Sequence, residues 1–187
     1  MKDAALKYFT IHGYEGASLS LIAEDAGIRK QSIYAHFKGK DDLFLQVLHD
    51  AKETELRAVE QYFCESNTEN PATQLYGFLV FIIELFEQNE QLKFWLRMTF
   101  FPPAHLASLV AVDVADMEIK IYEIILAKFR HWIEIKQLNE QDAEIAARAF
   151  LGITDALMIE LAYGKEEKIL HHKLEAFWNI YWRGVSR

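Results

Sequence analysis

Apolar residues in this chain recur at spacings of three and four, and two-residue alternation is nearly absent. Leu75, Phe78, Leu79, Ile82, Ile83 and Phe86 form one such stripe. Ile121, Ile124, Ile125, Phe129 and Trp132 form a second, interrupted by Lys128. A mean spacing near 3.6 gathers these side chains on one face of an α-helix. The pattern predicts an all-α fold of about nine helices.

Breakers divide the helices. Gly13 and Gly16 bracket a turn after an amphipathic first helix that carries Ala5, Leu6 and Phe9. Ser18 is placed to cap a second helix, Leu19 to about Ala26, because its hydroxyl can accept an orphan backbone N–H. Gly27 follows, where a positive φ costs little and allows a tight turn. A third helix is expected from about Lys30 to Phe37, and a fourth from Lys40 towards Glu65 with Leu43, Phe44, Val47 and Leu48 on its apolar face. The polar run Ser66-Asn67-Thr68-Glu69-Asn70-Pro71 is the clearest linker. Further helices are expected over about 72–88 and 91–100, with a stop at Pro102-Pro103. A long helix or helix pair over 106–136 follows, then helices over 140–163 and 166–183. The expected domains are 1–48 and 49–187.

The 187 residues suffice for a self-supporting core, since a chain of this size buries roughly 70% of its unfolded surface. Cys64 is the single cysteine, which excludes disulfide frameworks, thiolate metal clusters and CxxC redox chemistry. Charged residues stand in the N-terminal segment where a signal peptide needs its apolar run. No apolar run approaches the roughly 20 residues of a bilayer span. The expected setting is the cytoplasm, with no membrane partner.

A net charge of −8 argues at first against nucleic acid as a partner. Its distribution changes that. The window from Arg29 to Lys40 holds Arg29, Lys30, Lys38 and Lys40 and no acidic residue. It also holds Gln31, Ser32, Tyr34 and His36, which hydrogen-bond to phosphate oxygens or base edges. Two short helices joined by a Gly-containing turn, the second opening on Arg29-Lys30-Gln31-Ser32, form a helix-turn-helix pattern. Leu21, Ile22, Ala26, Ile28, Ile33 and Phe37 are expected to pack the two helices together, leaving the basic and polar side chains outward.

Residues 4–48 carry more than this pattern. The elements Gly13-Tyr14-Glu15, Ser18-Leu19, Leu21-Ile22-Ala23, Ala26-Gly27-Ile28, Ser32-Ile33-Tyr34, His36-Phe37-Lys38 and Lys40-Asp41-Asp42-Leu43-Phe44 together resemble the TetR family of transcriptional repressors. The resemblance implies roles for matching positions. Tyr34 and His36 would contact phosphates, and Lys40 would hold the DNA backbone. Arg29, Lys30, Gln31 and Ser32 would face base edges and flanking phosphates, and Ser18 would cap its helix and offer its backbone N–H to a phosphate. Ala35 departs from the family, which commonly has a second tyrosine there. The rest of the chain resembles the family in architecture only.

The resemblance further implies a homodimer through the last two helices, a double-stranded DNA operator, and a small-molecule inducer of unidentified structure. The residues support the dimer on their own. Ala149, Gly152 and Ala156 permit close helix approach, and Leu170, Leu174, Phe177 and Tyr181 make a continuous stripe on the last helix. Inducer candidates are Phe78, Phe81 and Ile82, then Phe94, Trp95, Met98 and Phe101, then Phe129 and Phe150. Such aromatic walls favour an apolar ligand, planar or acyl-chained. Arg97, His105 and Arg130 are candidates for an orienting charge. Each of these aromatic stripes is equally what a plain helical core requires.

Two other classes compete with this reading. A carboxylate-bridged helical-bundle metalloenzyme needs Glu-x-x-His pairs, and no histidine here has Glu three residues before it. His171-His172 with Glu175 is the best metal-like cluster, but adjacent histidines diverge by about 100° on a helix. No catalytic residue, metal or cofactor is expected. A protein-interaction adaptor without operator binding is the second alternative, and the basic residues between Arg29 and Lys40 weigh against it.

Overall fold

The computed structural model describes residues 1–65, 69–139, 142–164 and 166–186. Among these stand nine α-helices and no strand: α1 (Lys2–Gly16), α2 (Leu19–Asp25), α3 (Lys30–Tyr34), α4 (Lys40–Glu65), α5 (Pro71–Gln88), α6 (Glu90–Phe100), α7 (Ala107–Glu134), α8 (Ala143–Ala162) and α9 (Glu167–Val185). No described helix is long and apolar enough to cross a membrane. The Ser66-Asn67-Thr68 part of the expected linker and the expected helix start at Glu140 lie outside the described residues.

The chain forms two compact units, Met1–Glu55 with Glu90–Ala115, and Leu56–Asn89 with Asp116–Arg187. The long helices α4 and α7 each contribute residues to both.

In the first unit, α1 packs on α2 and α6, and α2 on α3. Phe9, Phe44 and Phe94 meet at its centre, with ring centroids 5.2 to 6.4 Å apart. Ala5, Ile22, Ile33, Leu43 and Leu48 complete the core at zero exposure. The glycine at 13 adopts φ 67° and kinks α1 before its last turn. Gly13 lies outside the helical region, so the regular helix breaks there, at the first of the two glycines expected to bracket a turn, and a short helical piece follows to Gly16.

Caps set the other boundaries of this unit. The Ser18 Oγ accepts the Leu21 N–H at 3.2 Å, and Gly27 takes φ 66° after α2. The helix α3 ends at Tyr34, three residues before the expected stop. Both His36 and Phe37 turn their N–H back onto the Ile33 carbonyl, which closes the helix and returns Phe37 to the core. A helix end of this kind satisfies the orphan carbonyls locally. The Asp42 carboxylate accepts the Lys38 N–H at 2.7 Å and fixes the start of α4, and this bond holds its carboxyl below the usual range.

In the second unit, α5 packs on α8 and α9, which run antiparallel to each other. Asn70 caps α5 by accepting the Thr73 N–H at 3.1 Å, with Pro71 at the first helical position, where its missing N–H costs nothing. Phe78, Phe129, Trp132 and Phe150 are almost wholly buried and line a continuous aromatic core with Phe63. The span 106–136 resolves as one helix, α7, after a 3-10 turn at Ala104–Leu106. An isolated antiparallel bridge between Leu138 and Ser186 ties the segment after α7 to the end of α9.

Candidate nucleic-acid interface

The α2–turn–α3 motif is built by a few local bonds. The Ile28 N–H reaches the Ala23 carbonyl at 2.9 Å across the Gly27 turn, and Ile22, Ala23 and Ile33 are buried beneath. Leu21, expected between the helices, is instead 42% exposed, because its position in α2 faces away from Ile33 and Phe37. Outward stand Arg29, Lys30, Gln31, Tyr34, His36 and Lys38, all exposed. Ser18, Ser32 and Lys40 are half-buried. All eight residues expected at DNA therefore occur in one unit, on or beside this motif, and none is sealed in the core. Four cations and no acidic residue occur between 29 and 40 in the sequence, with Asp41 and Asp42 following at the start of α4, which makes this a surface suited to a polyanion.

Lys40 has a defined seat. Its ammonium lies 4.2 Å from the Tyr14 ring centroid and 3.5 Å from the Glu15 carbonyl oxygen. The Tyr14 hydroxyl donates to Asp41, whose carboxylate also lies 3.4 Å from His105 Nε2. The Tyr14 bond, and after it His105, hold the Asp41 carboxyl below its usual range. Burial first, and then the Asp41 bond, push the Tyr14 phenol up. Nothing in the periodicity of the sequence marks Tyr14, Asp41 and His105 as neighbours.

The nine inducer candidates divide between the units. Phe94, Trp95 and Met98 are buried in the first, while Phe101 is 49% exposed there. Phe78, Ile82, Phe129 and Phe150 are buried in the second. The half-buried Phe81 borders two open grooves of that unit. One is lined by Tyr62, Glu65 and Leu85, the other by Tyr76, Val80 and Trp178. Trp132, expected on the second apolar stripe, joins the aromatic core, whereas nothing in the spacing marked Phe63 as a member of it or Glu55 as a buried carboxylate. Burial pushes the Glu55 carboxyl up to about 7, opposed by a hydrogen bond from Trp95. The three candidates for an orienting charge have surface partners: Arg97 donates to the Thr10 carbonyl, His105 adjoins Asp41, and Arg130 adjoins Glu144.

The dimer candidates also divide by burial. Leu170 and Leu174 fill the second unit's own core, and the Tyr181 hydroxyl donates to the Ala146 carbonyl at 2.9 Å. Ala149 and Gly152 are exposed, and Ala156 and Phe177 half-buried. Ile145, Ile159 and the C-cap Tyr163 extend Ala149, Gly152 and Ala156 into one stripe along α8 with spacings of four, three, four, three and four, the three added residues being 68%, 41% and 63% exposed. On α9, Ile169 and Ile180 are also exposed. This stripe was visible in the spacing, but only burial separates it from the core-facing Ala146, Phe150, Ile153 and Leu157.

Among the described residues the architecture is helical, with an exposed basic helix-turn-helix in the N-terminal unit, the arrangement that DNA-binding helix-turn-helix folds share. Residues 3–47 match the family model of bacterial regulatory proteins, tetR family. The match is confined to this N-terminal module. It is 27% identical over 138 residues to the HTH-type transcriptional regulator AcrR of Shigella flexneri, spanning 73% of this chain. That match covers 64% of the relative's own length, just under two thirds. Among solved structures, FadR of Bacillus subtilis in complex with stearoyl-CoA superposes with a TM-score of 0.72 at 16% identity, covering 96% of this chain and 95% of that one. The fatty acid degradation regulator FadR of Bacillus halodurans gives a TM-score of 0.73 at 17% identity, covering 96% and 91%. At such identities the likeness is one of fold.

Proposed function

We propose that this protein is a ligand-responsive transcriptional regulator, a repressor, that binds a pseudo-palindromic DNA operator as a homodimer. The observation that carries the reading is the exposed basic surface on a helix-turn-helix that matches the family model. Arg29, Lys30, Gln31 and Ser32 read base edges and flanking phosphates. Tyr34, His36, Lys40 and the capped N-terminus at Ser18 hold the backbone. A single five-residue α3 reads too few base pairs for a selective site, so a second head related by a two-fold axis is required. The exposed apolar stripe on α8, with Ile169 and Ile180 of α9, supports a dimer through the last two helices.

The inducer in this reading is small and mostly apolar, planar or acyl-chained as the aromatic interior allows, with an acyl-chain compound the first class to test. The stearoyl-CoA bound to the Bacillus subtilis relative supports that class. The protein works without a metal or cofactor, in the cytoplasm. Release requires the inducer to bind the operator-incompetent state more tightly, because a ligand with equal affinity for both states shifts nothing. The helix α4 opens at Lys40 and continues to Glu65, so the helix that begins at the operator contact continues into the second unit.

Selection of bound fragments from genomic DNA, followed by titration of acyl-chain compounds against the selected duplex, tests both halves. A selected duplex with two-fold symmetry, released by an acyl compound, is the expected result. Failure to enrich any sequence removes the operator, and unchanged affinity under saturating ligand removes the inducer.

A further inference from the structure

A lysine reaching a phosphate from a flexible four-carbon stem loses rotamer freedom when it binds. Lys40 has lost much of it already. Its ammonium sits over the Tyr14 ring, 4.2 Å from the centroid, and beside the Glu15 carbonyl at 3.5 Å. The ring beneath it is itself fixed by three rings. Phe44 meets it edge-on at 5.3 Å, Phe9 lies nearly parallel at 6.1 Å, and the His105 imidazole stands at 5.0 Å. The phenol hydroxyl is anchored on Asp41, the residue after Lys40, and Asp41 is approached from its other side by His105. Three separate segments, the end of α1, the first turn of α4 and the 3-10 turn before α7, thus converge to hold one aromatic face under one cation.

We infer that Tyr14 is a positioning residue for the DNA-backbone contact: its ring face holds the Lys40 ammonium ready for a phosphate, and Asp41 and His105 hold the ring. The inference rests on the operator-binding reading above. It differs from a packing role for Tyr14 in one respect. Packing depends on the ring's shape, whereas a cation is held by the ring's electron-rich face.

The test uses the full chain and a duplex recovered by the wild-type protein from random-sequence DNA. Tyr14→Leu is expected to weaken binding about 2- to 5-fold, the strength of an exposed cation–π contact. The loss should be shared with Lys40→Ala, so that the double variant binds little worse than Lys40→Ala alone. Tyr14→Phe keeps the ring and folds on the same core. Replacing that ring by fluorinated phenylalanines of nearly the same shape should weaken binding progressively with fluorine number, leaving the melting temperature unchanged. Affinity independent of fluorination, or losses from Tyr14→Leu and Lys40→Ala that simply add, would overturn the positioning role while leaving operator binding intact. A wild-type protein that recovers no duplex overturns the operator reading and this inference with it.

Discussion

Trp95 donates its indole N–H to the Glu55 carboxylate at 2.6 Å, a buried bond between α6 and α4. Glu55 is only 8% exposed. A neutral donor offsets part of the desolvation of a carboxylate but brings no opposite charge, so burial dominates and the carboxyl rises to about 7.

This bond predicts a pH signature. The folded state holds the Glu55 proton to about pH 7, whereas the unfolded chain releases it near 4.5. Folded stability is then greatest at the acidic end of that window, declines as pH rises through it, and levels off above. The effect is roughly 3 kcal/mol in order of magnitude. The Glu55→Gln variant stays neutral. Its stability relative to wild type should rise across the same window in urea melts, and a constant difference would contradict the assignment.

The helix cap at Ser18 predicts a smaller loss. Removing the oxygen that accepts the Leu21 N–H should cost about 1 kcal/mol. Thermal melting of Ser18→Ala against wild type reads this directly.

Gly77 predicts a change of sign. A Cβ placed there would stand 2.6 Å from the Tyr62 hydroxyl, which is tied to the Gln74 carbonyl. Alanine in a helix is otherwise favoured over glycine by about 1 kcal/mol. Gly77→Ala should therefore fail to stabilise the wild type and should stabilise the Tyr62→Phe protein, where the colliding atom is gone. Equal effects in the two backgrounds would show that Tyr62 yields freely.

The exposed α8 stripe predicts the oligomeric state. Ile145→Glu with Ile159→Glu places charge on side chains that are already solvent-facing within the chain, so folding should survive. Light scattering should find a dimer for wild type and a monomer for the variant. A dimer in both would move the interface elsewhere.

The fold was legible because its signals are local. Apolar spacing, Ser18, Gly27, Asn70-Pro71 and Pro102-Pro103 each act within a turn of helix, and they place nearly every boundary. The exception at α3 has the same kind of cause, a backbone turn onto Ile33 that leaves no residue signature. The basic surface was legible for the same reason, since Arg29 to Lys40 is one contiguous window. Periodicity could not divide inward from outward apolar faces on α8 and α9, where both are rich in small and branched side chains. It could not find Glu55–Trp95 or Tyr14–Asp41–His105 either, because those partners are 40, 27 and 64 residues apart.

The central claim is that the basic helix-turn-helix reads DNA in sequence-selective fashion. Fluorescence anisotropy with a selected duplex and a scrambled duplex, each titrated over a range of salt, tests it most directly. Affinity should fall steeply with salt while preference for the selected duplex persists. Lys40→Ala should weaken both duplexes alike, and Gln31→Ala should narrow the preference between them. Weak binding, equal for both duplexes and unmoved by either substitution, would contradict it.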